Sequence, residues 1–406
     1  MVFGTPSAPS ARQGAAPTAP IPVAYVTNPW LYDGGGGAER VLFSLVTGLD
    51  RRLFRPFLVA VAGDGSSDYF RLAREAGVPT AVLSTTLRDG MCTAAVNFAH
   101  LVVLLRRHEI RIVHSSMDAG VGVLAGAVAG VPVRLLTTHS LHRMHGLRRK
   151  AVARVVIAHL ATKNVAISEA VARNLCSTYG VDAAQVEVIV NGVEAPVASS
   201  SADEVRFEAA PPGTEPNVVI VARLVRYKGV DILLDAMARV VAREKRARLT
   251  IIGDGPERAL LEQRSIELGL VDHVRFVGYQ VDAGRWLHQA TVFAMPSRSE
   301  GMGIAAVEAL AASVPVVCSN AGGLPEVVQN DHCGIVVEGR RVGADTEVDP
   351  DDFARALLKL LTDRSLAHRL GQDGRRRYED CFTVGKFIHR HERLYLDELD
   401  RVGGRA

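Results

Sequence analysis

Residues 299–308 read Ser-Glu-Gly-Met-Gly-Ile-Ala-Ala-Val-Glu and follow an apolar run that ends at Pro296. Gly301 and Gly303 at a strand-to-helix turn would let backbone N–H groups come close to an anion. The helix expected to follow, up to Ala312, would turn its positive end to the same spot. Glu300 falls in that turn and Glu308 on the second turn of the helix. Two carboxylates at an anion-binding edge repel phosphate, so their natural partners are hydroxyls. A sugar hydroxyl beside a phosphate is the simplest ligand. The competing reading is a loop glutamate and a solvated helix glutamate.

A second segment, 221–229, reads Val-Ala-Arg-Leu-Val-Arg-Tyr-Lys-Gly. Here Arg223 is expected to end a strand and Lys228 to open the next helix. A bidentate guanidinium and a compact ammonium at one sheet edge can hold a diphosphate. Taken alone, a strand-end Arg and a surface Lys are common.

Three further segments lie in the first half. Residues 33–40 read Asp-Gly-Gly-Gly-Gly-Ala-Glu-Arg, so Gly36 and Gly37 belong to a loop suited to close approach to a ligand phosphate, or simply flexible. A dinucleotide G-x-G-x-x-G fails there, because its third glycine position holds Glu39 or Arg40. His139 closes the apolar run 134–139, which would put it at the ligand-binding edge of its sheet; any one of thirteen histidines is more often structural than functional. Residues 142–150 carry four Lys/Arg, including Arg143 and Arg148, two His and no acid. Such a run is a solvated face, or a contact for anionic acceptors or a membrane surface. Gly253-Asp254-Gly255-Pro256 reads as a structural turn with a helix from Pro256, and Asp349-Pro350-Asp351 as a helix cap, not a metal site. No His/Cys/carboxylate cluster has metal spacing, and no nucleophile elbow or P-loop is present.

The elements that must position these residues alternate regularly. Short unbroken Val/Ile/Leu-rich runs at 23–27, 57–62, 80–84, 111–116, 134–139, 164–168 and 186–190 read as strands buried on both faces of a parallel sheet. Helix-length segments such as 38–49, 96–108 and 169–177 separate them. The rhythm repeats at 217–224, 249–253, 274–278, 291–296, 314–319 and 334–337, with helices expected over 230–242 and 256–268. The expected fold is therefore α/β, with two doubly wound, Rossmann-like parallel-sheet domains. Residues 196–216, with four Pro and a Ser-Ser-Ser run, are the expected linker between domains at 21–195 and 217–383. Two such domains would face a cleft, with ligands at the carboxyl ends of the strands. The amphipathic segment 384–399, within a C-terminal stretch 384–406, suits either domain.

Composition agrees. The chain has 406 residues, 48% hydrophobic and 22% charged, enough for two domains with sizeable cores and against wholesale disorder. Five scattered cysteines without a C-x-x-C pair fit a reducing, cytoplasmic interior. Residues 1–20, rich in Ala, Pro and Ser, read as a disordered leader without a signal-peptide core. The net charge of +3 gives no sign of nucleic acid, although residues 1–195 carry nineteen Lys/Arg against thirteen Asp/Glu.

Taken in order, Gly-Gly-Ala-Glu-Arg at 36–40, Thr-x-His at 137–139, Ile167-Ser168-Glu169-Ala170, Asn191-Gly192-Val193-Glu194 and Arg223…Lys228-Gly229 are followed by Gly253-Asp254-Gly255-Pro256, the Glu300/Glu308 pair and Pro315-Val316-Val317…Gly322-Gly323-Leu324-Pro325-Glu326. Over 23–383 the chain thus resembles the retaining, nucleotide-sugar-dependent glycosyltransferases of family 4, which have GT-B architecture. The resemblance implies that Glu308 binds the ribose hydroxyls and Glu300 the donor sugar near its anomeric carbon. Arg223 and Lys228 would bind the diphosphate, with the Gly301-Met302-Gly303-Ile304 loop, its Gly303 and Ile304 N–H groups, and Gly36–Gly37. His139 would lie near the reacting centre, with Arg143 and Arg148 on the acceptor side, and the C-terminal helix would cross back to the first domain. It further implies a nucleotide-sugar co-substrate with no metal and no other cofactor, and a glycan, lipid or small-molecule (secondary-metabolite) acceptor, as in polysaccharide biosynthesis. Peripheral contact with an anionic membrane follows from the basic run.

Met302 stands where Phe is usual, Ala222 and Ser313 where Gly is usual, and Glu194 where Asp is commoner; none removes a charge the mechanism needs. The alternatives are another GT-B enzyme, such as a sugar-nucleotide epimerase or a much longer phosphorylase, and a silent nucleotide-sugar-binding protein. A nicotinamide dehydrogenase is disfavoured by the failed fingerprint.

Overall fold

The computed structural model describes residues 19–27, 37–61, 68–83, 91–116, 120–141, 154–196 and 216–403. Gly36, Arg143 and Arg148, most of the expected leader and residues 197–215 of the expected linker lie outside the described residues. The described residues form two compact units. One comprises the chain up to Gly192 and again from Val384; the other runs from Val193 to Thr383.

The first unit contains β1 (Ile21–Thr27), α1 (Gly37–Gly48), β2 (Phe54–Ala60), α2 (Asp68–Glu75), β3 (Thr80–Val82), α3 (Met91–Arg107), β4 (Ile112–Ser116), α4 (Gly120–Ala129), β5 (Val133–Thr138), β6 (Lys163–Ala166), α5 (Glu169–Asn174) and β7 (Val186–Val188). Its strands lie in the order β3-β2-β1-β4-β5-β6-β7, every pairing parallel.

The second unit contains β8 (Asn217–Val221), α6 (Val230–Arg243), β9 (Arg248–Ile252), α7 (Arg258–Glu267), β10 (Val274–Gly278), α8 (Gly284–Leu287), β11 (Val292–Met295), α9 (Ile304–Ala311), β12 (Val316–Ser319), α10 (Leu324–Val328) and β13 (Gly334–Val337). An antiparallel hairpin, β14 (Arg340–Val342) and β15 (Asp345–Glu347), precedes α11 (Pro350–Thr362) and α12 (Arg364–Cys381). The parallel sheet runs β10-β9-β8-β11-β12-β13. Both sheets reverse strand order next to their first strand, at β1/β4 and β8/β11; in doubly wound sheets, ligands bind at such a reversal, outside the carboxyl ends of the strands.

The pattern of burial explains the strands. Val292 to Met295 and Val316 to Ser319 are buried throughout, as expected where helices cover both faces. Val230, Leu233, Leu234, Met237 and Val240 of α6 and Phe353, Leu357 and Leu360 of α11 close one face of the second core; each such side chain contributes roughly 1.5–3 kcal/mol. Asp349 caps α11, its carboxylate accepting from the Asp351 N–H at 2.8 Å.

Every apolar run expected to be a strand forms one, but several ends shift. β8 stops at Val221, leaving Arg223 two residues beyond it, because the chain there follows the turn after β9: the Leu224 N–H donates to the Asp254 carbonyl at 2.9 Å. His139 lies one residue past β5, and the helix expected from Pro256 begins at Arg258. The hairpin β14–β15 was not expected, since its three-residue strands are polar and largely solvated.

The C-terminal helix α13 (Val384–Gly403) belongs to the first unit. Phe387, His391, Leu394, Tyr395 and Glu398 form its buried stripe. The Tyr395 hydroxyl lies 2.8 Å from the Tyr25 hydroxyl and 2.6 Å from His114 Nδ1, while His114 Nε2 lies 2.6 Å from Thr137 Oγ1. The His391 ring stacks on His114 with centroids 5.5 Å apart. Burial pushes His391 down to about 4, and burial followed by the neighbouring His391 and His139 pushes His114 well below its ordinary value. Between pH 6.5 and about 4 the unfolded chain therefore takes up protons that the native state refuses, and stability falls as the pH falls. The cost is about 1.4 kcal/mol per pH unit for each such histidine. Urea unfolding at pH 7.5 and pH 5 is expected to show this loss, and His391→Phe to reduce it; equal pH dependence in the two proteins refutes the assignment.

Candidate active site

In the second unit, the segments after β8 and β11 flank the point where the strand order reverses. After β8 come Arg223, exposed on its loop, and a single 3₁₀ turn, Arg226–Lys228. Lys228 thus precedes α6 instead of opening it. Gly229 joins the turn to α6 with φ +70°, a left-handed conformation suited to glycine, and a Cβ there would run into the Pro296 carbonyl. This close approach brings the Lys228 turn against the end of β11.

After β11 the chain passes through Ser297, Arg298 and Ser299 to Glu300. Lys228 Nζ lies 2.6 Å from Glu300 Oε2, with side-chain exposures of only 17% and 13%. Ser297 Oγ donates to the same carboxylate oxygen at 3.4 Å. Burial alone would lower the Lys228 pKa, but the adjacent Glu300 carboxylate outweighs it and holds the ammonium above its ordinary value. Gly301 and Met302 are buried. Gly303, at φ +94°, is the N-cap of α9, and a Cβ there would sit 2.6 Å from Leu324 Cδ2. Ile304 is the first helical residue, so its N–H belongs to the group of donors that an α-helix leaves without intrahelical partners. Glu308, half-buried, lies on the second turn of the same helix. Helix-terminal amides, a cation and two carboxylates thus share one sheet edge.

Sequence reasoning missed Arg298. Its side chain is only 7% exposed, pairs with both oxygens of Asp231 at 2.7 Å, and reaches Glu347 at 2.7 Å. Asp231, above all, and Glu347 push its pKa further up. An arginine next to a buried strand end was the available signal, but its partners lie 67 and 49 residues away.

In the first unit, His139 Nε2 lies 2.9 Å from Ser116 Oγ at the end of β4. Ser116, Thr137, His139, Asn191, His114 and His391 line a small cavity beneath α1. Gly37 is the first residue of α1, and Glu39 in its first turn is pushed up to about 7 by burial. Among the described residues no group of three His, Cys, Asp or Glu side chains converges as metal ligands do, and no helix is long and apolar enough to cross a membrane.

Two doubly wound parallel sheets, the second with an ammonium, two carboxylates and a helix N-terminus beside its switch point, have the architecture of a GT-B enzyme. Residues 35–195 match the family described as Glycosyltransferase Family 4, and residues 201–377 match Glycosyl transferases group 1. The GDP-mannose-dependent alpha-(1-6)-phosphatidylinositol monomannoside mannosyltransferase of Mycobacterium tuberculosis is 34% identical over 292 residues, covering 67% of this chain and 72% of that protein. The D-inositol 3-phosphate glycosyltransferase of Streptomyces bingchenggensis is 32% identical over 292 residues, covering 64% of this chain and 61% of that one. The crystal structure of Anabaena HepE in complex with UDP shares the fold, with a TM-score of 0.76 at 20% identity, over 93% of this chain and all of that one. The chain belongs to glycosyltransferase family 4: it is a retaining enzyme that transfers a sugar from a nucleotide-sugar donor.

Proposed function

We propose that the enzyme transfers a hexosyl group from a GDP- or UDP-sugar to a ring hydroxyl of an inositol-bearing acceptor, without a metal. The observation that carries the donor half is the Lys228–Glu300 pair, 2.6 Å apart beside the N-terminus of α9. Lys228 and Arg223 bind the diphosphate with the Gly303 and Ile304 amides, Glu300 holds donor-sugar hydroxyls near the anomeric carbon, and Glu308 takes the ribose. As the bond between the anomeric carbon and the phosphate oxygen breaks, negative charge grows on the departing diphosphate. Fixed cations stabilise it as it forms, the role a divalent ion plays elsewhere. The acceptor hydroxyl attacks from the face the diphosphate leaves, which retains configuration, and its proton passes to a leaving phosphate oxygen. His139, oriented by Ser116, acts at the acceptor.

The acceptor half rests on the relatives, whose names specify a phosphatidylinositol mannoside and D-inositol 3-phosphate. The test is incubation with GDP-mannose, UDP-glucose or UDP-N-acetylglucosamine against myo-inositol, inositol 3-phosphate and phosphatidylinositol vesicles. A product with the donor's anomeric configuration, formed equally in EDTA, is expected. Turnover with none of the inositol acceptors overturns that half, and loss of activity in EDTA overturns metal independence. For a lipid acceptor, the basic run at 142–150 supplies contact with an anionic membrane. Failure to co-sediment with anionic liposomes at low salt removes that contact.

A further inference from the structure

Arg298 makes more contacts than a structural ion pair requires, and they converge on the turn that carries Lys228. Its backbone N–H donates to the Tyr227 carbonyl at 2.8 Å, and its Nη1 donates to the Arg226 carbonyl at 2.8 Å. Main chain and side chain of one residue thus hold two successive carbonyls of the 226–228 turn. The guanidinium also grips Asp231 on the first turn of α6 through two parallel bonds and donates from Nε to Glu347 at the end of the hairpin. The hairpin closes over it from the other side, with the Thr346 N–H donating to the Arg298 carbonyl at 2.9 Å. Two residues further along the chain stands Glu300.

The fold has little need of this cluster. α6 is held to its sheet by apolar side chains, and buried ion clusters are weak sources of stability whose better-attested use is to set register. What the cluster does set is the relation of two loops, one ending in Lys228 and the other in Glu300. Only arginine presents several donors in a fixed plane; a lysine ammonium cannot span Asp231, Glu347 and the Arg226 carbonyl together.

We propose that Arg298 is a positioning residue that clamps the 226–228 turn, so that Lys228 meets the donor diphosphate in a fixed place. This rests on the reading of Lys228 as a diphosphate ligand. Displacement of a binding group by about 1 Å lowers the rate by about 100-fold, and Arg298→Ala is expected to lose about 10- to 100-fold in kcat/KM for the donor. Arg298→Lys should fare no better, and added guanidinium should restore part of the activity of the alanine variant.

The deciding experiment is a double-mutant cycle of Arg298→Ala with Lys228→Ala, read as kcat/KM for the donor and as UDP and GDP binding by calorimetry. If Arg298 acts through Lys228, its removal costs nothing further once Lys228 is gone. Where Arg298→Ala does not fold, Glu347→Ala, which removes one acceptor and keeps the guanidinium, replaces it with a smaller loss and the same non-additivity. Losses that multiply in the double variant overturn the proposal, as does wild-type kcat/KM in Arg298→Ala beside a crippled Lys228→Ala. Wild-type behaviour of Lys228→Ala overturns the underlying assignment, and this proposal with it.

Discussion

Lys228→Ala is expected to lower turnover at saturating donor by about 100-fold or more, the scale of removing a group that stabilises charge developing in the transition state. The reason lies in its surroundings. The ammonium is only 17% exposed and touches a carboxylate that is 13% exposed, so its field reaches an incoming diphosphate with little screening by water. The neighbouring Glu300 keeps it charged. Removing it leaves the Glu300 carboxylate unpaired where the diphosphate must bind, so repulsion replaces attraction. Arg223→Ala should fall in the same direction. Arg223 is exposed, at the opposite end of the same short segment, so its loss should be the smaller. Near wild-type turnover in both variants would falsify the assignment of the diphosphate site.

Glu308→Ala is expected to act on binding instead of turnover. A half-buried carboxylate on the second turn of α9 can accept both ribose hydroxyls, and hydrogen bonds to a charged group are worth about 1.5–3 kcal/mol. The affinity for UDP or GDP should drop by about 10- to 100-fold, with the rate at saturation less affected. A 2′-deoxynucleoside diphosphate offers one hydroxyl fewer and should lose less affinity between the wild type and the variant. Calorimetry showing the same affinity for UDP and GDP in both proteins removes Glu308 from the ribose site.

These two residues also show how far the amino-acid sequence reaches. Glu300, Gly301, Gly303 and Glu308 lie within nine consecutive residues, so a strand end, a turn and two helical turns are enough to place them at one edge. The pairing of Lys228 with Glu300 spans 72 residues. It depends on β8 lying beside β11 in the sheet, which no local pattern encodes. The strands themselves were legible because parallel strands buried on both faces must be short, unbroken and apolar. The hairpin β14–β15 carries Arg and Glu side chains at its ends and has no such pattern; its contacts with Arg298 join residues 48 and 49 positions apart in the chain.

The first unit makes the same distinction. The amphipathic stripe of α13 is plain from spacing alone. That Tyr395 on this stripe meets Tyr25 and His114 is a matter of which strands neighbour β1, and so of the whole sheet.

By itself, then, the sequence determined the two α/β sheets, the family motifs and the chemical types available: a guanidinium, an ammonium and two carboxylates next to glycine-rich turns. The tertiary structure decided which of them meet. Hydrophobic periodicity and turn chemistry act over a few residues and survive in the one-dimensional record. The order of strands in a sheet is chosen by packing energies summed over the whole unit, and only that order brings Lys228, Glu300 and Arg298 together.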